Sequence, residues 1–160
     1  MKILVIDEEF PFPLNSGKRT RSFNLIKRLA AVHQLRYLAY GKKDSKSWQA
    51  LSGAGMNPVA VPPQVPAKSG PLFYLRLLAN LFSHLPYIVS SHYSLQFANA
   101  LHKCVADFAP DIILCEWSPY GIYVKNVTHI RSVIVAHNIE SRIWQRYFEN
   151  DRQLVKKWYI

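Results

Sequence analysis

The sequence predicts an α/β fold with a doubly wound, mainly parallel sheet. Short apolar runs alternate along the chain with longer runs that have helical periodicity. The first three runs form a βαβ unit, with a strand at residues 2–6, a helix at 19–32 and a strand at 35–40. Apolar strands joined through helices indicate parallel neighbours, because right-handed crossover helices connect such strands and cover both faces of the sheet.

The later runs continue this alternation. The predicted strands are at 58–61, 111–115 and 132–136. The predicted helices are a short one at 45–52, an apolar one at 72–82, one at 94–108, one from Ile139 and a last one at 152–160. A loop is predicted at 64–69 and a helical or loop segment at 120–127. The last helix has no glycine cap or closing turn, which indicates one domain of an interrupted, longer protein.

The first helix is predicted to have an apolar side and a polar side, because residues three or four apart share a face. The apolar stripe consists of Phe23, Ile26 and Ala30, flanked by Leu25 and Leu29. The polar side consists of Arg21, Asn24, Lys27 and Arg28. We expect this polar side to be free for a ligand or for water.

Composition favours a single folded, cytoplasmic domain. Apolar residues make up 49% of the 160 residues and charged residues 19%, which argues against disorder. The longest apolar window, at 71–82, is interrupted by Arg76 and is shorter than the roughly 20 residues that cross a bilayer. The N-terminal apolar run is too short for a secretory signal. Cys104 and Cys115 lack metal-ligand spacing, so we expect two buried free thiols.

The net charge of +10 narrows the class of partners. Nine Lys or Arg and a single Asp lie between Lys18 and Lys46. Such a basic surface suits nucleic acid, an anionic membrane surface or a phosphorylated small molecule, whereas a solvated basic face needs no partner. No aromatic RNA-binding signature or zinc-finger spacing accompanies the charge, which argues against nucleic acid.

The loop FPFPLNSGKRT at residues 10–20 departs from the common phosphate-binding motifs. A P-loop requires GxxxxGK followed by Ser or Thr, but Phe12 stands at the first glycine position and Arg19 at the hydroxyl position. The dinucleotide motif GxGxxG also fails, since Gly17 is alone in its loop. Two interpretations remain: the helix N-terminus at Gly17 approaches an anionic ligand, or Gly17 makes a turn and Ser16 caps the helix.

The acidic cluster Asp7, Glu8 and Glu9 resembles the acidic site of the phosphate-receiving domains of bacterial signalling. That fold also needs an aspartate at the end of the third strand and a lysine at the end of the fifth. This chain has PVAVPP and SVIVAHN at those places. We therefore interpret the three side chains as ordinary loop carboxylates.

Polar residues follow two of the later strands. Glu116 ends one strand, and His137 and Asn138 end the next, ahead of a helix with Arg142 and Arg146 on one face. The carboxyl ends of strands line the ligand crevice in doubly wound sheets. A carboxylate and an imidazole at neighbouring strand ends suit proton transfer or hydroxyl recognition, whereas each side chain taken singly is more often a satisfied polar group than a catalyst.

Three stretches carry a resemblance to a known family: PFPLNSGKRTRSFNLIKRLA at 11–30, PDIILCEWSP at 110–119 and VIVAHNIESRIWQR at 133–146. With these motifs in this order, the chain resembles the N-terminal, acceptor-side domain of retaining glycosyltransferases of the GT-B fold, of the family 4 type. The resemblance implies a Rossmann-like domain that faces a second, nucleotide-sugar-binding domain, which this sequence lacks. The chain alone is then expected to be inactive, without a metal or a cofactor.

The resemblance also implies roles for individual residues. The full-length enzyme would move a sugar from a nucleotide-sugar donor to a glycan or lipid-linked acceptor in cell-surface polysaccharide synthesis. Many family members carry histidine where this chain has Glu116. The implied catalytic residues are Glu116 and His137, the donor diphosphate contacts are Ser16, Gly17 and Lys18, and the acceptor contacts are Arg21, Asn24, Asn138 and Arg142. The alternative function is a non-catalytic α/β module that binds an anionic ligand or nucleic acid.

The apolar helix PLFYLRLLANLF at 71–82 has two interpretations. It is either part of the hydrophobic core, or, with the basic surface, it suits a lipid-linked or membrane-proximal acceptor at the inner face of a membrane.

Overall fold

The computed structural model describes residues 1–63, 70–137 and 140–150. In these ranges one parallel sheet of five strands has the order β3-β2-β1-β4-β5. This confirms the predicted α/β class with a Rossmann-like, doubly wound sheet. The strands are β1 (Lys2–Asp7), β2 (Gln34–Tyr40), β3 (Pro58–Val61), β4 (Ile112–Cys115) and β5 (Arg131–Ile134).

Helices connect the strands and lie on the two faces of the sheet. They are α1 (Gly17–Ala30), α2 (Lys46–Gly53), α3 (Pro71–Asn80), α4 (Tyr87–His92), α5 (Leu95–Phe108), α6 (Gly121–Val124) and α7 (Glu140–Asn150), with a single 3-10 turn at Ser118–Tyr120 before α6. The predicted elements between residues 2 and 61 and between 71 and 136 are confirmed to within a few residues. The sequence did not predict α4, because its six residues are too few for a helical period. The predicted loop at 64–69 and helix at 152–160 lie outside the described residues.

The sheet separates two hydrophobic clusters, because alternate residues of a strand point to opposite faces. In β1, Ile3 and Val5 belong to the cluster that contains Ile26 of α1, whereas Leu4 and Ile6 belong to the cluster that contains Phe97 of α5. All four β1 side chains are buried. The central strand is therefore apolar on both sides, as its solid apolar sequence predicts.

Helix α1 begins two residues earlier than the sequence predicts, and its inner face differs. Ser22 and Ile26 are its buried residues, and Leu25 is 43% exposed. The prediction that Leu25 flanks the inner stripe is wrong, because Ser22 and Ile26 define the direction that faces the sheet. A serine one turn before Ile26 is thus at a core position.

Two further elements are more exposed than the sequence predicts. Helix α3 contains no buried residue, so its interpretation as a core helix is wrong. Strand β5 is exposed along its whole length, because within the described residues it pairs with β4 alone and carries little cover. Cys104 and Cys115 are buried free thiols, as predicted. No helix in the described ranges is long and apolar enough to cross a bilayer.

Substitution of adjacent residues in α1 tests which face of the helix is buried. We expect Ile26→Ala to reduce the free energy of unfolding by about 2–5 kcal/mol, since it leaves a cavity in the core. Leu25→Ala should change it by only about 0.5 kcal/mol, because that side chain meets solvent. Urea denaturation followed by far-UV circular dichroism measures both. Equal losses for the two variants would contradict the orientation of α1.

Candidate functional site

The strand order puts the switch point of the sheet at the carboxyl ends of β1 and β4, and we call this edge the crevice. From β1 the chain proceeds outward through β2 to β3, and then returns to the other side of β1 to form β4 and β5. The loops after β1 and β4 therefore diverge, which is the arrangement that forms ligand sites in doubly wound sheets. The residues at this point are Asp7 at the end of β1, the loop 8–16 that follows it, and Glu116 with Trp117 after β4.

Asp7, at the end of β1, is buried, and its carboxyl group accepts three hydrogen bonds. Lys18 Nζ donates to Oδ1 at 2.9 Å, and the Glu8 backbone N–H donates to the same oxygen at 2.7 Å. The Tyr37 hydroxyl of β2 donates to Oδ2 at 2.8 Å. Burial raises the pKa of the Asp7 carboxyl to about 6, although the Lys18 charge and these hydrogen bonds act in the opposite direction. Asp7 is therefore a buried structural acid, and its interpretation as an ordinary loop carboxylate is wrong.

Lys18, in the first turn of α1, is partly buried. Its Nζ also donates to Glu8 Oε1 at 2.6 Å and lies 5.7 Å from the centre of the Trp117 ring. Burial by itself would lower the pKa of the ammonium, but the charges of Asp7 and Glu8 outweigh it and raise that pKa above its usual value. The Lys18 charge is thus neutralised by two carboxylates that belong to the same chain.

The N-terminus of α1 is exposed beside this ion pair. Ser16 caps the helix, since its Oγ accepts a hydrogen bond from the Arg19 N–H at 3.3 Å. A Cβ on Gly17 would meet no protein atom within 4 Å, so packing within the described residues does not require glycine there. The first turn contains no acidic residue, and Arg19 pairs with Glu9 of the preceding loop. The backbone at Gly17 is therefore open to a ligand, while the cations of the same turn are paired with carboxylates of this chain.

Glu116, directly after β4, is buried between α1 and the segment that follows β5. Ser22 of α1 donates a hydrogen bond to its Oε2 at 2.6 Å. His137 Nε2 lies 3.2 Å from the same oxygen, at a distance that suits an ion pair, although the angle is not that of a hydrogen bond. The side chains of Glu116 and His137 are 1% and 8% exposed. Glu116 Oε1 and both ring nitrogens of His137 have no hydrogen-bond partner in the described structure.

These two carboxylates occupy equivalent positions on neighbouring strands. Ile6 pairs with Cys115 in the parallel register, so Asp7 and Glu116 come next on β1 and β4. Lys18 and Ser22, which contact them, are one turn apart on α1. One turn of helix rises about 5.4 Å, close to the roughly 4.8 Å between adjacent strands. A single helix can therefore place a cation on one carboxylate and a hydroxyl on the other.

The structure brings some predicted site residues together and separates others. Glu116 and His137 lie side by side, and Ser16, Gly17 and Lys18 are near the same edge of the sheet. Arg21, Asn24 and Arg142 are exposed, with Asn24 donating to the Thr20 carbonyl and Arg142 to Gln145. Asn138 lies outside the described residues.

Several residues of the site were not predicted. Ser22 contacts Glu116, and Tyr37 contacts Asp7. His92 of α4 packs edge-on against Trp117, with ring centres 4.9 Å apart. For Ser22 the sequence does contain a signal, because a polar residue one turn before Ile26 interrupts the apolar stripe. Tyr37 and His92 have no such local signal, since their roles depend on contacts with other elements.

Comparison with known proteins adds no assignment: no protein-family model, no curated protein and no solved structure matches the chain significantly. Within the described residues no group of three His, Cys, Asp or Glu side chains is placed to hold a metal ion. What the site offers is a buried carboxylate and imidazole with unused hydrogen-bonding capacity next to an exposed helix N-terminus. Such a set can bind hydroxyl groups and an anion together.

The pKa of Asp7 predicts how stability depends on pH. Since the folded state holds this proton up to about pH 6 and the unfolded state releases it near 3.8, the folded state binds more protons between these values. Stability due to this group is therefore full below pH 4 and falls as the pH rises through 6, by on the order of 3 kcal/mol. Asp7→Asn should remove this component and flatten the profile. Urea unfolding at pH 4, 5, 6 and 7 measures it, and identical profiles would contradict the assignment.

Removal of either cation of the first helical turn tests which ion pair stabilises the fold. We expect Lys18→Met to cost about 3–5 kcal/mol at pH 7, because it leaves the buried Asp7 carboxylate without its counter-charge. Arg19→Met serves as the matched control and should cost about 1 kcal/mol or less, since the Arg19–Glu9 pair is partly exposed. Equal unfolding free energies for the two variants would show that the Asp7–Lys18 pair has no special role.

Proposed function

We propose that the chain is the acceptor-side domain of a retaining glycosyltransferase of the GT-B type. The enzyme would transfer a sugar from a nucleotide-sugar donor to a glycan or a lipid-linked acceptor, as in cell-surface polysaccharide synthesis. One observation carries the proposal: Glu116 and His137 are buried together at the crevice, and three of their polar atoms have no hydrogen-bond partner among the residues that the structure describes. Buried polar atoms without partners cost about 1–3 kcal/mol each, so a polar ligand would satisfy them.

Sugar hydroxyls match this pair chemically. A hydroxyl both donates and accepts, so one hydroxyl can donate to Glu116 Oε1 and another can accept from, or donate to, a ring nitrogen of His137. In this proposal the two side chains contact the reacting sugar and orient it. Ser22 is a positioning residue, because its hydrogen bond to Oε2 leaves Oε1 available for the ligand.

The donor diphosphate would lie at the N-terminus of α1. The exposed amides around Gly17, in a 14-residue helix whose first turn contains no acidic residue, favour an anion. Because Lys18 is paired with Asp7 and Glu8, the backbone amides would make the main contacts with the diphosphate. Lys18 would contribute only a weaker electrostatic attraction at longer distance. Most contacts to the nucleotide would then come from a second domain.

The test is release of nucleoside diphosphate by the protein expressed from its complete open reading frame. UDP-glucose and GDP-mannose serve as donor probes, and glycan and lipid-linked fractions from the source cells serve as acceptors. We expect Glu116→Gln and His137→Ala each to lower kcat by roughly 100-fold, since both groups contact the reacting sugar. Asp107→Asn, at an exposed carboxylate on α5, is the matched control and should leave kcat unchanged.

The second candidate is a non-catalytic module that binds nucleic acid or another anion, which the basic surface and the net charge of +10 favour. Retention of duplex DNA by the chain at physiological ionic strength, together with absence of nucleoside diphosphate release, would support this candidate and overturn the first. Unchanged turnover in Glu116→Gln would show that the crevice is not the site of sugar transfer.

A further inference from the structure

Helix α3 and the turn after it present apolar side chains to solvent. Phe73, Leu77 and Asn80 form the side that faces the protein, because they are the half-buried positions of the helix. Leu75 and Leu78 lie three residues apart on the opposite side, and Phe82 follows in the turn after the helix; the three are 62%, 58% and 91% exposed. The further exposed apolar residues of this patch are Leu72, Tyr74, Leu81 and Leu85. We call the seven residues the α3 patch.

The α3 patch is part of ordered structure. The Phe73 ring packs edge-on against Tyr87 of α4 with ring centres 6.0 Å apart, and Ser90 of α4 donates to Asn80 Oδ1. Helix α4 in turn contacts the crevice through His92 and Trp117. The inner side of α3 is therefore anchored, and its outer side remains apolar and open in the described structure.

The charges along the sequence that contains α3 favour a lipid surface. No Asp or Glu occurs between residues 70 and 106, and Arg76 is the single Lys or Arg of α3. By helical spacing Arg76 lies on the flank of the patch. Its side chain is long enough for the guanidinium to reach lipid phosphates while the neighbouring apolar side chains are inserted in the membrane. Tyr74 lies on the other flank, and tyrosine rings prefer the boundary between acyl chains and headgroups. A protein partner would instead have to supply a carboxylate for Arg76.

We propose that the α3 patch docks the protein on an anionic membrane surface, with Leu75, Leu78 and Phe82 inserted below the headgroups. Helix α3 has ten residues, about 15 Å of length, so it would lie in the plane of the membrane. The net charge of +10 adds long-range attraction to anionic lipid. Docking does not depend on sugar transfer, but it would hold the crevice beside the lipid surface.

Vesicle flotation with the 160-residue chain tests the proposal. The probes are vesicles of phosphatidylcholine alone and vesicles in which about 40% of the lipid is the anionic phosphatidylglycerol, which gives the surface a negative potential. We expect binding to the anionic vesicles, weaker binding to the neutral ones, and an at least roughly tenfold loss of partitioning in the Leu75→Glu/Leu78→Glu double variant. Val32→Glu is the matched control, since Val32 is an exposed apolar residue at the turn after α1, and it should bind as the unmodified chain does.

Two further measurements test the charge of Arg76 and the folding of the double variant. Arg76→Glu should lower binding to anionic vesicles by several-fold, while binding to neutral vesicles changes little. Thermal unfolding must show that the double variant keeps its fold, which its exposed positions favour. Failure of the unmodified chain to float with anionic vesicles would overturn the proposal. The proposal would also be overturned if light scattering showed the unmodified chain to be a dimer without lipid and the double variant to be a monomer. The α3 patch would then be an interface between two copies of the chain.

Discussion

The buried ion pair between Asp7 and Lys18 is the interaction on which the candidate site depends. It joins the end of the central strand to the first turn of α1, and Tyr37 of β2 holds the second carboxylate oxygen. A buried carboxylate is expensive unless its oxygens are satisfied, and the raised pKa of Asp7 reflects that cost. The network therefore fixes which side of α1 faces the sheet more strictly than apolar packing could do, since apolar contacts are not directional.

The orientation of α1 decides how Glu116 is presented. With Lys18 on Asp7, Ser22 comes to lie on Glu116, and Ile26 enters the core beyond it. The exposed N-terminus of the same helix then lies at the crevice. The loop before α1 is held by Phe10, whose ring occupies the space that a Cβ on Gly41 would need. The helix N-terminus, which can bind an anion, and Glu116, which can bind hydroxyl groups, therefore lie at one edge of the sheet. Both are positioned by α1.

The sequence predicts the secondary structure well, because apolar run length and helical periodicity are local signals. It also predicts that Glu116 and His137 are neighbours, since both follow strands of a parallel sheet and such ends meet at one edge. It does not predict the burial of Asp7 or the Ser22–Glu116 contact, which joins residues 94 apart in the chain. Nor does it predict that α3 is exposed, because composition alone does not show which elements cover an apolar helix.

The match between one helical turn and the spacing of two strands has a consequence for finding related proteins. The pattern consists of a first acid, the helical motif Lys-x-x-x-Ser and a second acid, which in this chain are Asp7, Lys18 with Ser22, and Glu116. Only the spacing within the helical motif is fixed. The number of residues between the motif and each acid depends on the lengths of the loops and elements between them. Such a pattern can be sought in sequences too distant for overall alignment, provided that each acid directly follows a buried strand. The geometry thereby supplies a query that ordinary sequence similarity does not.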